Sequence, residues 1–113
     1  MIKAVAKPKD EVSILVVEDD ADDYDFLKAI LKSCCEKTSI QWVQDGEQAV
    51  DYLFHKGEYQ DEARYPAPDL VFLDIRLPKK SGLEVAKIIK KDPRLKKLPT
   101  IMLTTSSSSA DVR

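Results

Sequence analysis

The feature that most constrains this chain is a pair of short apolar runs that each end in carboxylates. Ile14, Leu15, Val16 and Val17 lead into Glu18, Asp19 and Asp20, and Leu70, Val71, Phe72 and Leu73 lead into Asp74. Runs of this length, apolar at consecutive positions, read as strands covered on both faces, the condition of strands inside a parallel sheet. In open α/β sheets the carboxyl ends of such strands frame the crevice that receives ligands. Three or four carboxylates gathered there repel one another, so the cluster holds either protons or a cation. A hard divalent ion such as Mg²⁺, bound by one or two carboxylates with waters and phosphate oxygens, satisfies it most simply.

The rest of the chain alternates strand-like runs with helical periodicity, the pattern of a βαβ fold with a parallel sheet. The first strand is expected at residues 13–17. Leu27, Ile30, Leu31 and Cys34 then fall at i, i+3, i+4 and i+7, the stripe of an amphipathic helix. Its first turn is acidic (Asp20, Asp22, Asp23, Asp25) and later turns carry Lys28 and Lys32, the polarity that the helix dipole favours. Asp20 reads as the N-cap of this helix in preference to a metal ligand. A second strand is expected at 39–43, after which Asp45-Gly46 turns the chain into a helix with Val50, Leu53 and Phe54 on one face, ending near Gly57. Residues 57–69 read as a polar loop. Ser81-Gly82 opens a third helix that buries Val85, Ile88 and Ile89 and stops at Asp92-Pro93. A fourth strand follows at 100–104, and Ser108 to Asp111 has the spacing of a capping box that starts a fourth helix.

Composition removes other function classes. The chain is 43% hydrophobic and 34% charged, and its 18 basic and 20 acidic residues leave a net charge of −2, which argues against nucleic-acid or membrane binding through bulk charge. No run has membrane-spanning length, and the charged first eleven residues lack the apolar core of a signal peptide, so a cytoplasmic location is expected. Cys34 and Cys35 are adjacent, with no second pair or histidine at ligand spacing, and read as reduced thiols. His55, the one histidine, reads as a surface or partly packed residue. Trp42 reads as sheet packing away from the acidic site, and so as a poor fluorescent reporter of it.

Val16-Val17-Glu18-Asp19-Asp20, then Leu73-Asp74-Ile75-Arg76-Leu77-Pro78 with Gly82 eight residues after the aspartate, then Met102-Leu103-Thr104, together resemble a response-regulator receiver domain of two-component signalling. The segments 57–59, 77–82 and 103–107 look most similar to single-domain receivers paired with phytochrome-type histidine kinases. The resemblance implies a flavodoxin-like, doubly wound parallel sheet of order 2-1-3-4-5, with residues 1–12 as an N-terminal extension and 13–113 as the receiver. It implies that Asp74 is the phosphoacceptor, taking a phosphoryl group from a phosphohistidine on a sensor histidine kinase, without the protein being a turnover enzyme. Glu18, Asp19, Asp74 and the backbone carbonyl of Arg76 would hold Mg²⁺, and the Thr104 hydroxyl would bind the phosphoryl group. A carboxylate serves as a nucleophile toward phosphorus when a cation neutralises charge on the phosphoryl oxygens, so the chemistry agrees with the resemblance.

The chain departs from this pattern at its end. The remainder of the fourth helix, the fifth strand with its phosphoryl-pairing lysine, and the fifth helix would lie past Arg113. On that basis the sheet edge at 100–104 is expected to leave the isolated chain partly unfolded or paired with a second copy as a homodimer. An incomplete receiver acting as a structural or dimerising fragment is the alternative reading. A Mg²⁺-dependent phosphohydrolase of the haloacid-dehalogenase type is disfavoured, because that class wants a second aspartate where Arg76 stands. A flavodoxin-like cofactor binder is disfavoured because Glu18, Asp19 and Asp20 would repel an anion.

Overall fold

The structure, a computed structural model, describes residues 11–34 and 37–103. Among these residues four strands, β1 (Val12–Val17), β2 (Thr38–Val43), β3 (Leu70–Asp74) and β4 (Thr100–Leu103), form one parallel sheet in the order β2-β1-β3-β4. Among the described residues three α-helices connect them: α1 (Ala21–Cys34), α2 (Gly46–Leu53) and α3 (Gly82–Lys91). The chain winds outward from β1 to β2, then crosses back over β1 to lay down β3. The winding therefore reverses between β1 and β3, and the crevice expected of such a sheet opens there. Strand order and helix placement agree with the flavodoxin-like expectation over the described residues.

Side chains alternate across the sheet and sort the core into two layers. Leu15, Val17, Val71 and Leu73 point to one face, where they meet Ala49, Tyr52 and Leu53 of α2 and Val85 and Ile89 of α3. Ile14 and Val16 point to the other, under Tyr24 of α1, with Leu27, Leu31, Trp42 and Phe72 packed around them. Leu15, Val16, Val17, Val71 and Leu73 are all fully enclosed, as consecutive apolar positions in central strands should be.

Local signals set the helix starts. Asp20 Oδ1 accepts from the Asp23 N–H at 3.0 Å, which makes Asp20 the N-cap of α1. Asp45 Oδ1 accepts from the Gln48 N–H at 2.8 Å and caps α2. Ser81 and Glu84 exchange side-chain and backbone bonds in a full capping box at the start of α3, and Asp92 closes that helix.

Three expectations need correction. The buried face of α1 is Tyr24, Leu27 and Leu31, whereas Ile30 is 43% exposed and Cys34 lies on the surface. The helix is turned toward Tyr24 because that ring stacks on Trp42. The second helix ends at Leu53, since His55 adopts a left-handed φ of 55° that no helix continues through. The polar loop is also better ordered than its composition indicates. A 3₁₀ turn at Gly57–Tyr59 brings Tyr59 and Tyr65 against Tyr52, whose hydroxyl donates to the Pro66 carbonyl at 2.8 Å. His55 is half-buried beside this cluster, its Nε2 donating to the Tyr65 carbonyl at 3.0 Å. The expected fourth helix, Thr104, Cys35 and most of the N-terminal extension fall outside the described residues.

Candidate functional site

Sheet register builds the site. Val17 is level with Leu73 on β3 and with Val43 on β2, so the next residues along β1 and β3, Glu18 and Asp74, emerge side by side at the carboxyl ends of the two central strands. Glu18 and Asp74 are 2% and 1% exposed, while Asp19 lies open to solvent at the mouth. One carboxylate oxygen from each of the three lies within 4.8 Å of the others. Glu18, Asp19 and Asp74 are thus the residues that the sequence singled out and the fold brings together. Arg76 lies two residues further on, and its N–H donates to Asp74 Oδ1 at 3.1 Å. Asp20, as expected, is occupied in capping α1.

The pocket is short of donors. Glu18 Oε2 accepts from the Asp20 N–H at 3.1 Å, and Asp74 Oδ1 accepts from Arg76, but Asp74 Oδ2 is buried with no hydrogen-bond donor among the described residues. Two ionised carboxylates cannot donate to each other, so a buried acceptor of this kind demands a proton or a cation. Burial pushes the Glu18 carboxyl up to about 8, aided by the charge of Asp74, and burial raises Asp74 as well. The orphaned Oδ2 and a set of hard oxygen donors fit a divalent cation, which would relieve the repulsion while leaving all three groups ionised.

A pH dependence follows from Glu18. Its carboxyl keeps a proton up to about pH 8 when folded and loses it near 4.5 when unfolded, so the folded chain binds the extra proton between those values. Stability without divalent cations is therefore expected to be fully present below about pH 4.5 as far as this group is concerned, and to decline as pH rises toward 8. Urea unfolding in chelator across this window, compared with Glu18→Gln, checks the sign. A wild-type slope no different from that of the variant would contradict it.

The loop after Asp74 is held by backbone contact. The Gly82 N–H donates to the Ile75 carbonyl at 3.0 Å, and a Cβ on Gly82 would overlap the Asp74 carbonyl and lie 2.9 Å from Ile75 Cα. A Cβ on Gly46 would likewise overlap the Lys80 carbonyl, so the start of α2 packs directly on this loop. Lys79 Nζ lies 3.9 Å from Asp45 Oδ2, a long contact between an exposed ammonium and a buried carboxylate that caps α2.

Trp42 is the residue whose place the sequence misjudged. Its indole N–H donates to the Glu18 carbonyl at 2.7 Å, which brings it to the edge of the acidic site. Strand periodicity places Trp42 one residue from the end of β2, but only the pairing of β2 with β1 reveals what the side chain reaches.

A parallel sheet with carboxylates clustered at the switch between its central strands fits the architecture of a receiver domain. The sequence matches the response regulator receiver domain over residues 14–113, and the chain belongs to that family. Among curated relatives, it is 39% identical over 99 residues to response regulator Rcp1 of Synechocystis, covering 88% of this chain and 65% of Rcp1. The chain therefore spans slightly less than two thirds of that relative. Among solved structures, the phosphorylated cyanobacterial phytochrome response regulator RcpA superposes with a TM-score of 0.77 at 37% identity, over 90% of this chain and 71% of that one. The Mn²⁺-bound form of Rcp1 superposes with a TM-score of 0.76 at 39% identity, over 89% and 70%. No helix among the described residues is long and apolar enough to cross a membrane.

Proposed function

We propose that this chain is a cytoplasmic, phospho-accepting response regulator that receives a phosphoryl group on Asp74 from a sensor histidine kinase, of the phytochrome type on the strength of its relatives. The observation that carries the reading is the buried Oδ2 of Asp74, which has no donor among the described residues and is set beside Glu18 and Asp19. A structural carboxylate would have found a donor, whereas a nucleophile needs a free lone pair. Glu18, Asp19, Asp74 and the Arg76 carbonyl are the groups that would hold Mg²⁺. When bound, the ion neutralises charge on the transferring phosphoryl oxygens.

The chain's own residues supply the positioning. The Arg76 N–H holds Asp74 Oδ1 and so restrains the carboxylate, leaving Oδ2 without a donor among the described residues. In the transfer, a carboxylate oxygen of Asp74 forms a bond to phosphorus as the N–P bond of the donor phosphohistidine breaks and the imidazole leaves with its electron pair. Thr104, next after β4, is assigned the hydroxyl that donates to a phosphoryl oxygen without adding charge. The chain is read as a stoichiometric acceptor and not as a turnover enzyme. RcpA, crystallised phosphorylated, and Rcp1, crystallised with Mn²⁺, lend support as relatives.

The test is incubation with a small acyl phosphate, with and without Mg²⁺, followed by intact-mass analysis and peptide mapping. A single Mg²⁺-dependent adduct on the peptide containing Asp74 is expected. An adduct elsewhere, or none under conditions where a related receiver is labelled, would overturn the reading.

A further inference from the structure

The turn that carries the acidic residues is held from outside the site. The β1–β2 ladder runs to Val17 and Val43, and the Glu18 N–H extends it by one bond to the Val43 carbonyl at 3.0 Å. The Glu18 carbonyl comes next and is taken by the Trp42 indole N–H at 2.7 Å. Because a peptide unit is planar, fixing that oxygen also fixes the Asp19 nitrogen and Cα. The following peptide is fixed too, since the Asp20 N–H donates to Glu18 Oε2. Asp19 therefore sits between two immobilised peptide planes, although its own side chain is exposed at the mouth.

The indole is itself braced. Tyr24 stacks on it with ring centroids 4.1 Å apart and planes 5° from parallel, and the Tyr24 N–H donates to the Asp20 carbonyl at 3.0 Å. Contacts run from Glu18 to Trp42, to Tyr24, to Asp20 and back to Glu18, closing a ring around Asp19.

We propose that Trp42, braced by Tyr24, is a positioning residue that pre-orients the Glu18–Asp19 turn for a divalent cation. This rests on the reading of the acidic pocket as a cation site. A buried tryptophan N–H needs some acceptor in any protein, but here the acceptor belongs to the peptide that aims Asp19. As the only tryptophan, Trp42 also reports on that peptide by its emission.

Two measurements on the 113-residue chain decide the matter, using Mg²⁺ alone as probe. Trp42→Phe keeps an aromatic ring against Tyr24 and removes the donor, and calorimetry is expected to show Mg²⁺ affinity reduced by about three- to tenfold, the loss of one hydrogen bond. Wild-type tryptophan emission is expected to change on Mg²⁺ addition with the midpoint that calorimetry gives, and the change to vanish in Asp19→Asn. Wild-type emission unmoved by bound Mg²⁺, or Trp42→Phe binding Mg²⁺ at wild-type affinity, overturns the proposal. The emission measurement needs no variant of Trp42, so it decides the question even if Trp42→Phe fails to fold. Unaltered Mg²⁺ binding in Asp19→Asn would refute the cation site itself and the role of Trp42 with it, whereas lost binding there alongside a silent Trp42 refutes the positioning role alone.

Discussion

Asp74→Asn is expected to abolish the phosphoryl adduct completely and, in the absence of divalent cations near pH 8, to make the chain more stable than wild type. Both effects have one origin. The wild-type site buries two carboxyl groups, Glu18 and Asp74, and Asp74 Oδ2 has no donor among the described residues. Asparagine has nearly the same shape, so its carbonyl can keep the bond from the Arg76 N–H while its amide nitrogen donates to the Glu18 carboxylate. The unmet acceptor becomes a met donor, and one buried charge is gone. The amide cannot attack phosphorus, so acceptance is lost outright. A gain of about 1 to 2 kcal/mol is the scale expected when a functional site is relieved of such frustration. Intact-mass analysis after acyl-phosphate treatment reads the first effect, and urea unfolding in chelator at pH 8 reads the second. A full-size adduct on the variant, or a variant less stable than wild type without cations, would refute the account.

Gly82→Ala is expected to destabilise the chain by about 3 kcal/mol, at the upper end of overpacking costs because the clash is with backbone. That corresponds to roughly 10 to 20 °C in thermal midpoint for a domain of this size. Helix propensity alone predicts the opposite sign, since alanine is favoured over glycine by about 1 kcal/mol in a helix. Position decides the conflict. The added Cβ would overlap the Asp74 carbonyl and crowd Ile75 Cα, and these are backbone atoms at the end of a central strand. They cannot rotate away as a side chain can, and Ile75 is further tied by its N–H to the Leu103 carbonyl at 3.1 Å. Any relief must come from moving α3 or the acceptor loop, so Mg²⁺ affinity is expected to fall together with stability. Thermal unfolding and Mg²⁺ calorimetry on the variant check both, and a raised midpoint would mean that propensity outweighs the contact.

Much of the site was readable before folding was considered because its signals are local. Apolar runs that end in Glu18 and Asp74 declare themselves within five residues, and a strand buried on both faces leaves its last residue at the sheet's carboxyl end whatever surrounds it. Caps are equally local. Asp20, Asp45 and Ser81 each satisfy a backbone donor three residues ahead, so their positions announced the helix starts that the structure has.

The face of α1 was not readable, and the reason is physical. Leu27, Ile30, Leu31 and Cys34 make a sound stripe, yet a helix is free to rotate about its axis until something on the sheet engages it. Trp42 on β2 engages Tyr24, and Ile30 is turned outward. The aromatic cluster of Tyr52, Tyr59 and Tyr65 was hidden for a related reason, since an irregular loop has no periodicity to reveal which rings converge.

What the sequence determined by itself is the order of strands and helices, their caps, and the identity of the carboxylates that end the central strands, all consequences of interactions within a few residues. Tertiary structure alone decided that Glu18 and Asp74 stand level, that Asp74 Oδ2 has no donor among the described residues, that Gly82 touches the acceptor strand, and that Trp42 holds the Glu18 carbonyl across 24 residues of chain. Those depend on register and on the approach of one element to another, which are fixed by burying the whole core at once and by no single segment of it.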